Sequence, residues 1–171
     1  MRLTRYTDYA MRILLYLGAE PDRKASIGEI AGAFDISRNH LTKIVHDLVK
    51  SGYLTSLRGR SGGIRLAREP DAINLGAVLR HTEDGFDLVD CANCRIVPAC
   101  GLTGVAAEAL AAFLAVFDRY SLADILGRKD DLSRILGLGA ATSPDRSGNR
   151  LPAKRACIGQ DLPLTWKLTK V

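Results

Sequence analysis

Cys91, Cys94 and Cys100 fall within ten residues, in the segment Cys91-Ala-Asn-Cys94-Arg-Ile-Val-Pro98-Ala-Cys100, directly ahead of the most continuously apolar stretch of the chain. Three thiolates so closely spaced can face one point from a loop, and soft sulfur donors select an iron-sulfur cluster or zinc over hard cations. Three is one short of the four ligands that a cubane cluster or a closed tetrahedral zinc site takes. Either a fourth group comes from elsewhere or one coordination position stays open to a small molecule. The same pattern also fits packed apolar cysteines, a disulfide, or a C-x2-C redox dithiol. A secreted disulfide scaffold fits poorly: four cysteines are few for 171 residues, and the first residues, Met1-Arg-Leu-Thr-Arg5-Tyr-Thr-Asp8, contain no apolar signal core. The expected compartment is the reducing cytoplasm.

The elements that must position this loop divide by charge. Residues 1–70 carry twelve Lys and Arg against seven Asp and Glu, residues 71–140 six against ten, and residues 141–171 six against two. A basic front suggests a bound polyanion there and a different task for the acidic middle, although solvated surface charge alone gives the same count. No run of about 18 apolar residues occurs, so no membrane span or membrane partner is expected. The absence of a carboxylate pair, a nucleophile–base pair or a phosphate loop in the sequence argues against an enzyme.

Within the basic front, the periodicity predicts a helix over 9–19 with Ala10, Ile13, Leu14 and Leu17 on one side. Ser26-Ile-Gly-Glu29 has capping-box spacing and opens a short helix to about Phe34, and Ser37 is placed to cap the next one. In that third helix Leu41, Ile44, Val45, Leu48 and Val49 form an apolar stripe. Arg38, Asn39, His40, Thr42, Lys43 and His46 occupy the remaining surface. Two short strand patterns then flank Gly59-Arg60-Ser61-Gly62-Gly63, with Arg58, Arg60, Arg65 and Arg68 crowding the hairpin. A helix-turn-helix followed at once by a basic wing predicts DNA binding, with Arg38, Asn39, His40, Thr42, Lys43, Arg58, Arg60 and Arg65 as contacts. The bland alternative is a small helical domain with an ordinary charged hairpin.

Beyond the break at Glu69-Pro70-Asp71, Asn74 caps a predicted helix to about Arg80, and an acidic segment leads into the cysteine loop. The run from Leu102 to Tyr120 is apolar around most of its circumference, more than a small winged-helix domain can cover. Pairing with a second copy is the economical solution, through Val105, Ala109, Phe113, Val116 and Phe117; a monomer's central helix is the alternative. Ser121-Leu-Ala-Asp124 caps a further short helix, and residues 130–136 predict another. The expected fold is thus mostly α. It comprises a winged helix-turn-helix domain over 1–70, a cysteine loop with dimerisation helices over 71–137, and a flexible basic tail over 138–171 that contains Cys157.

Several stretches resemble one family. They are Leu3-Thr4 with Tyr6-Thr7-Asp8-Tyr9-Ala10, Ser37-Arg38-Asn39-His40-Leu41 with Lys43-Ile44, Arg58-Gly59-Arg60 with Gly62-Gly63-Ile64-Arg65-Leu66, Pro98-Ala99-Cys100, and Asp118-Arg119-Tyr120-Ser121-Leu122-Ala123-Asp124. Over residues 1 to about 137 the chain is similar to the bacterial winged-helix iron-sulfur transcription regulators of the NsrR/IscR/RirA type. The Arg-Asn-His-Leu segment most resembles the nitric-oxide-sensing members. The resemblance implies a homodimeric repressor on a palindromic operator, a 4Fe-4S or 2Fe-2S cluster on Cys91, Cys94 and Cys100, and nitric oxide as the signal. Iron or redox sensing, or zinc in place of the cluster, are the rival readings. Two positions depart from the family. The gap between the first two cysteines is shorter than usual, and Leu102, Thr103 and Gly104 stand where some members have a ligating histidine. By analogy the fourth ligand is Asp8 of the partner subunit, with His81, Asp84, Asp87 and Asp90 as local competitors.

Overall fold

Ala10, Ile13, Leu14 and Leu17 are buried along one side of the first helix, against which most of the later described elements pack. The computed structural model describes residues 2–59, 62–127 and 129–138. Its elements are α1 (Arg5–Ala19), α2 (Ile27–Phe34), α3 (Arg38–Lys50), β1 (Leu54–Leu57), β2 (Gly63–Leu66), α4 (Leu75–Thr82), α5 (Leu102–Asp118), α6 (Leu122–Ile125) and α7 (Lys129–Ile135). Short 3-10 turns lie at Pro70–Ala72 and Val97–Ala99. Arg60, Cys157 and the tail expected beyond Leu138 lie outside the described residues.

α1 begins four residues earlier than its apolar period suggests, because a polar cap sets its start. The Thr7 N–H donates to Thr4 Oγ1 at 3.2 Å, while the Thr4 N–H and hydroxyl both donate to Glu83 Oε1, at 2.8 and 3.1 Å. The capping box of α2 forms as expected: Glu29 N–H reaches Ser26 Oγ, and Ser26 N–H reaches Glu29 Oε2. Asp35, in the left-handed region at φ 52°, then turns the chain into α3. Ser37 holds the cap position of α3, but its side chain makes no cap bond, contrary to the expectation. Leu41, Ile44, Val45 and Leu48 bury the inner side of α3 among α1 and α2.

β1 and β2 pair antiparallel from Leu54 opposite Leu66 to Leu57 opposite Gly63. A second, one-residue pairing joins Ala25 to Ile64 through bonds of 2.8 and 3.0 Å. This one-residue bridge has no alternation pattern that a sequence reading could detect. A Cβ on Gly63 would lie 2.9 Å from the Ala25 carbonyl oxygen, so the close approach of the two backbones requires glycine there.

Asn74 caps α4 by accepting from Ala77 N–H, and the helix continues to Thr82, two residues beyond the expected end. Its Leu75, Val78 and Leu79 are buried, and the helix packs against α1 and α5. The C-terminal end of α5 is tied to the start of α4. The Leu75 N–H donates to Tyr120 O, the Leu122 N–H to Ile73 O, and Arg80 grips the Asp118 carboxylate with two nitrogens at 2.5 and 2.7 Å. A methyl at Gly76 would collide with that carboxylate. The Ser121–Asp124 capping box starts α6, which with α7 returns to α1. This arrangement is a winged-helix domain whose scaffold helix is shared by the later elements.

Candidate nucleic-acid interface and thiol loop

The outward surface of α3 is open. Arg38, Asn39, His40, Thr42, Lys43 and His46 are all exposed, and the Thr42 hydroxyl donates back to Arg38 O at 2.9 Å. A helix held by buried leucine and isoleucine on one side therefore presents six polar or cationic side chains on the other, as a major-groove reader must. Arg58 and Arg65 of the hairpin are exposed as well, and Gly59, at φ 107°, makes the turn that a side chain would strain. The expected set of DNA contacts, apart from Arg60, thus lies on α3 and the wing.

Asp47 is the exception on α3, an acid amid cations. It accepts from the Tyr6 hydroxyl at 2.7 Å, and His81 Nε2 lies 2.9 Å from the same carboxylate oxygen. Burial pushes the Asp47 carboxyl up, but the hydrogen bonds from Tyr6 and His81 and the neighbouring charge of His81 and Lys50 outweigh it and hold it below the usual range. Burial, then the bond and charge of Asp47, raise the Tyr6 phenol. Neither Tyr6 nor Asp47 has a role that the sequence alone predicts, and His81, there a competitor for the metal, is instead bound to Asp47. The one available signal was a lone acid on a basic helix.

The thiol loop lies between α4 and α5 and has a backbone of short turns. Cys94 N–H bonds to Cys91 O at 3.3 Å, Val97 N–H to Cys94 O at 3.4 Å and Cys100 N–H to Val97 O at 3.2 Å. Cys91, Cys94 and Cys100 are free thiols, Cys94 exposed and the other two half-buried. The donor chemistry fits a thiolate-bound cluster or zinc and not a hard cation. The single chain does not complete the site, however: among the described residues no group of three or more His, Cys, Asp or Glu side chains gathers to hold a metal. Asp8, in the first turn of α1, pairs with Arg12 Nε at 3.0 Å, yet its side chain stays 46% exposed. It remains within reach of another molecule.

α5 leaves its apolar surface uncovered in one chain. No residue of it is fully buried; Val105 is 63% and Val116 44% exposed, and Leu102 and Ala109 are exposed on the same stripe. Phe113 and Phe117 are half-buried, with ring centroids 5.1 Å apart, and Phe117 also packs against the core of the domain. Among the described residues no helix is long and apolar enough to cross a membrane.

A family profile described as "Rrf2: Iron-dependent Transcriptional regulator" matches residues 3–128. Similar proteins include an "HTH-type transcriptional regulator NsrR" of Shouchella clausii, 48% identical over 142 residues, which are 80% of this chain and 95% of the relative. Another of the same description, from Bacillus subtilis, is 48% identical over 142 residues, covering 80% and 97%. Of solved structures, T. potens IscR superposes with a TM-score of 0.62 at 25% identity, over 74% of this chain and 87% of that one. The global cysteine regulator CymR of B. subtilis shares the fold at a TM-score of 0.59 and 23% identity, over 74% and 97%.

Proposed function

The chain belongs to the Rrf2 family of transcriptional regulators, and from that premise we propose that it is a homodimeric, iron-sulfur-dependent repressor with nitric oxide as its signal. It is a DNA-binding regulator with a winged-helix fold and not an enzyme. The observation that carries the finer reading is the coexistence, in one chain, of an unobstructed cationic recognition surface and three unpaired thiols on a separate loop. The first needs no metal to contact phosphate, so the second serves control. The cluster would be held by Cys91, Cys94 and Cys100, with the exposed carboxylate of Asp8 of the partner subunit as fourth donor. When bound, it supplies iron atoms that nitric oxide can ligate.

The residues of the chain account for the rest. Arg58 and Arg65 place the wing against phosphates, and Arg38, Asn39, His40, Thr42 and Lys43 face the base edges. α5 joins two copies so that two α3 helices meet successive major grooves of a palindrome. The protein acts in the cytoplasm, where thiols stay reduced.

Protein purified without oxygen tests this reading. A broad brown absorption, and operator affinity that falls on addition of nitric oxide, are expected. A colourless protein containing zinc would replace the cluster by the rival site, and a brown protein indifferent to nitric oxide would point to iron or redox state as the signal.

The seam has its own test. Val116 is exposed in the single chain, so Val116→Asp leaves the fold intact, yet in a two-fold interface it sets two carboxylates against apolar surface and against each other. Sedimentation of Val116→Asp should show a folded monomer; a folded dimer would place the interface elsewhere. Phe113 is less informative, because its packing on Phe117 mixes folding with association.

A further inference from the structure

The last turn of α4 is where the cysteine loop departs, and it touches α1, α3 and the base of the wing. Thr82 is buried, accepts from the Thr7 hydroxyl at 2.9 Å and donates to Val78 O at 2.9 Å, which fixes α4 to α1. Glu83, the residue that ends α4, holds the N-terminus of α1 through both Thr4 groups. His81, one residue before Thr82, reaches outward to Asp47 on α3, and its ring lies 5.8 Å from that of Tyr53 at the base of the wing. The Arg68 guanidinium lies over the Tyr53 ring, 5.2 Å from its centroid, and Tyr53 donates its backbone N–H to Leu48 O of α3 at 2.9 Å. One histidine thus meets the recognition helix and the wing together. Residues 84–90 then lead directly to Cys91.

We propose that Tyr6, Asp47 and His81 form a joint that passes the state of the thiol loop to the recognition helix, with Asp47 as the positioning residue of α3. This rests on the reading of the thiol loop as the control site. Three features suit the joint to that task. Both contacts fall on one atom, Asp47 Oδ2, so a movement of His81 that draws the carboxylate with it also changes the bond from Tyr6. The pair is partly open to water, with His81 and Asp47 side chains 32% and 36% exposed, so each bond exchanges with solvent at little net cost and can break and reform. Asp47 also follows His46 and lies one turn beyond Lys43 on α3, so a displacement of its carboxylate turns or tilts the DNA-facing side chains as a unit. A bistable contact of this kind couples two sites only as far as its two arrangements differ in free energy.

The measurement is the ratio of operator affinity with the cluster loaded to that with it removed, for the full-length parent, Tyr6→Phe and Asp47→Asn. Tyr6→Phe deletes one hydroxyl and keeps the ring, so it reads the joint even if Asp47→Asn fails to fold. Visible absorbance and melting temperature are recorded alongside. Both variants should retain the parent's absorbance and bind random duplex as it does. Their ratio should fall toward one by about fivefold or more, the low end of ordinary coupling between sites. A parent ratio well above one that Tyr6→Phe leaves unchanged, at unchanged absorbance, overturns the joint and spares the control-site reading. A parent ratio of one overturns that reading, and the joint with it.

Discussion

Cys94→Ala should lose bound metal and specific operator binding together, while keeping the weak, salt-sensitive attraction to any duplex. The Cys94 side chain is exposed, on a loop outside the hydrophobic core, so its removal does not threaten α1 to α3 or the wing. What it removes is one of three soft donors, and two thiolates with an oxygen ligand hold an iron-sulfur cluster poorly. Iron and sulfide content, visible absorption and a melting curve separate loss of the cluster from loss of the fold. A variant that melts like the parent, carries no metal and still selects the operator would disconnect the thiol loop from DNA binding. Asp8→Ala is the milder companion. It should assemble a cluster on three cysteines with an altered spectrum and a changed response to nitric oxide. The competing role of Asp8 is its ion pair with Arg12, which itself lies 5.7 Å from the centre of the Phe34 ring; an exposed pair of this kind contributes about 0–1 kcal/mol and leaves absorbance untouched. If Asp8→Ala matches the parent in spectrum, signal response and affinity, the fourth donor lies among Asp84, Asp87, Asp90 or a small molecule. His81 is a weaker candidate, being already engaged with Asp47.

Elements governed by local pattern were legible in the sequence. The apolar stripe of α3, the two capping boxes and the glycine-rich hairpin each follow from neighbours a few residues apart, and the structure has them where the pattern puts them. Helix ends fixed by distant partners were not legible. α1 starts at Arg5 because Thr4 is held by Glu83, seventy-nine residues on, and α4 runs to Thr82 because that hydroxyl meets Thr7. The same holds within the site. The cationic face of α3 could be read from its period, whereas the joint of Tyr6, Asp47 and His81 draws one residue from each of three helices, at separations no periodicity encodes. The thiols could be named from spacing alone, but among the described residues of the single chain they do not gather, with one another or with a fourth donor, into a group that holds a metal.

Asn39→Ala and Arg58→Ala should weaken DNA binding in different ways. Asn39 lies in the first turn of α3, exposed, where an amide can donate and accept at once and so match the paired edge groups of adenine in a major groove. Its loss should cost on the order of 1–3 kcal/mol on the palindrome, roughly fivefold to over a hundredfold in affinity, and little on random duplex. Arg58 lies on the wing beside Gly59, exposed and cationic, as a phosphate contact needs. Replacing it releases one fewer counterion, so affinity should fall alike on specific and random DNA, and the slope of log affinity against log salt should flatten by about 0.9. The salt series distinguishes the two even where their single-condition affinities coincide, because the amide carries no charge and Asn39→Ala leaves the slope as it was. Equal losses on both duplexes for both variants would mean that α3 does not read bases through its first turn, and the search for specificity would move to Lys43 and His46 further along the same face.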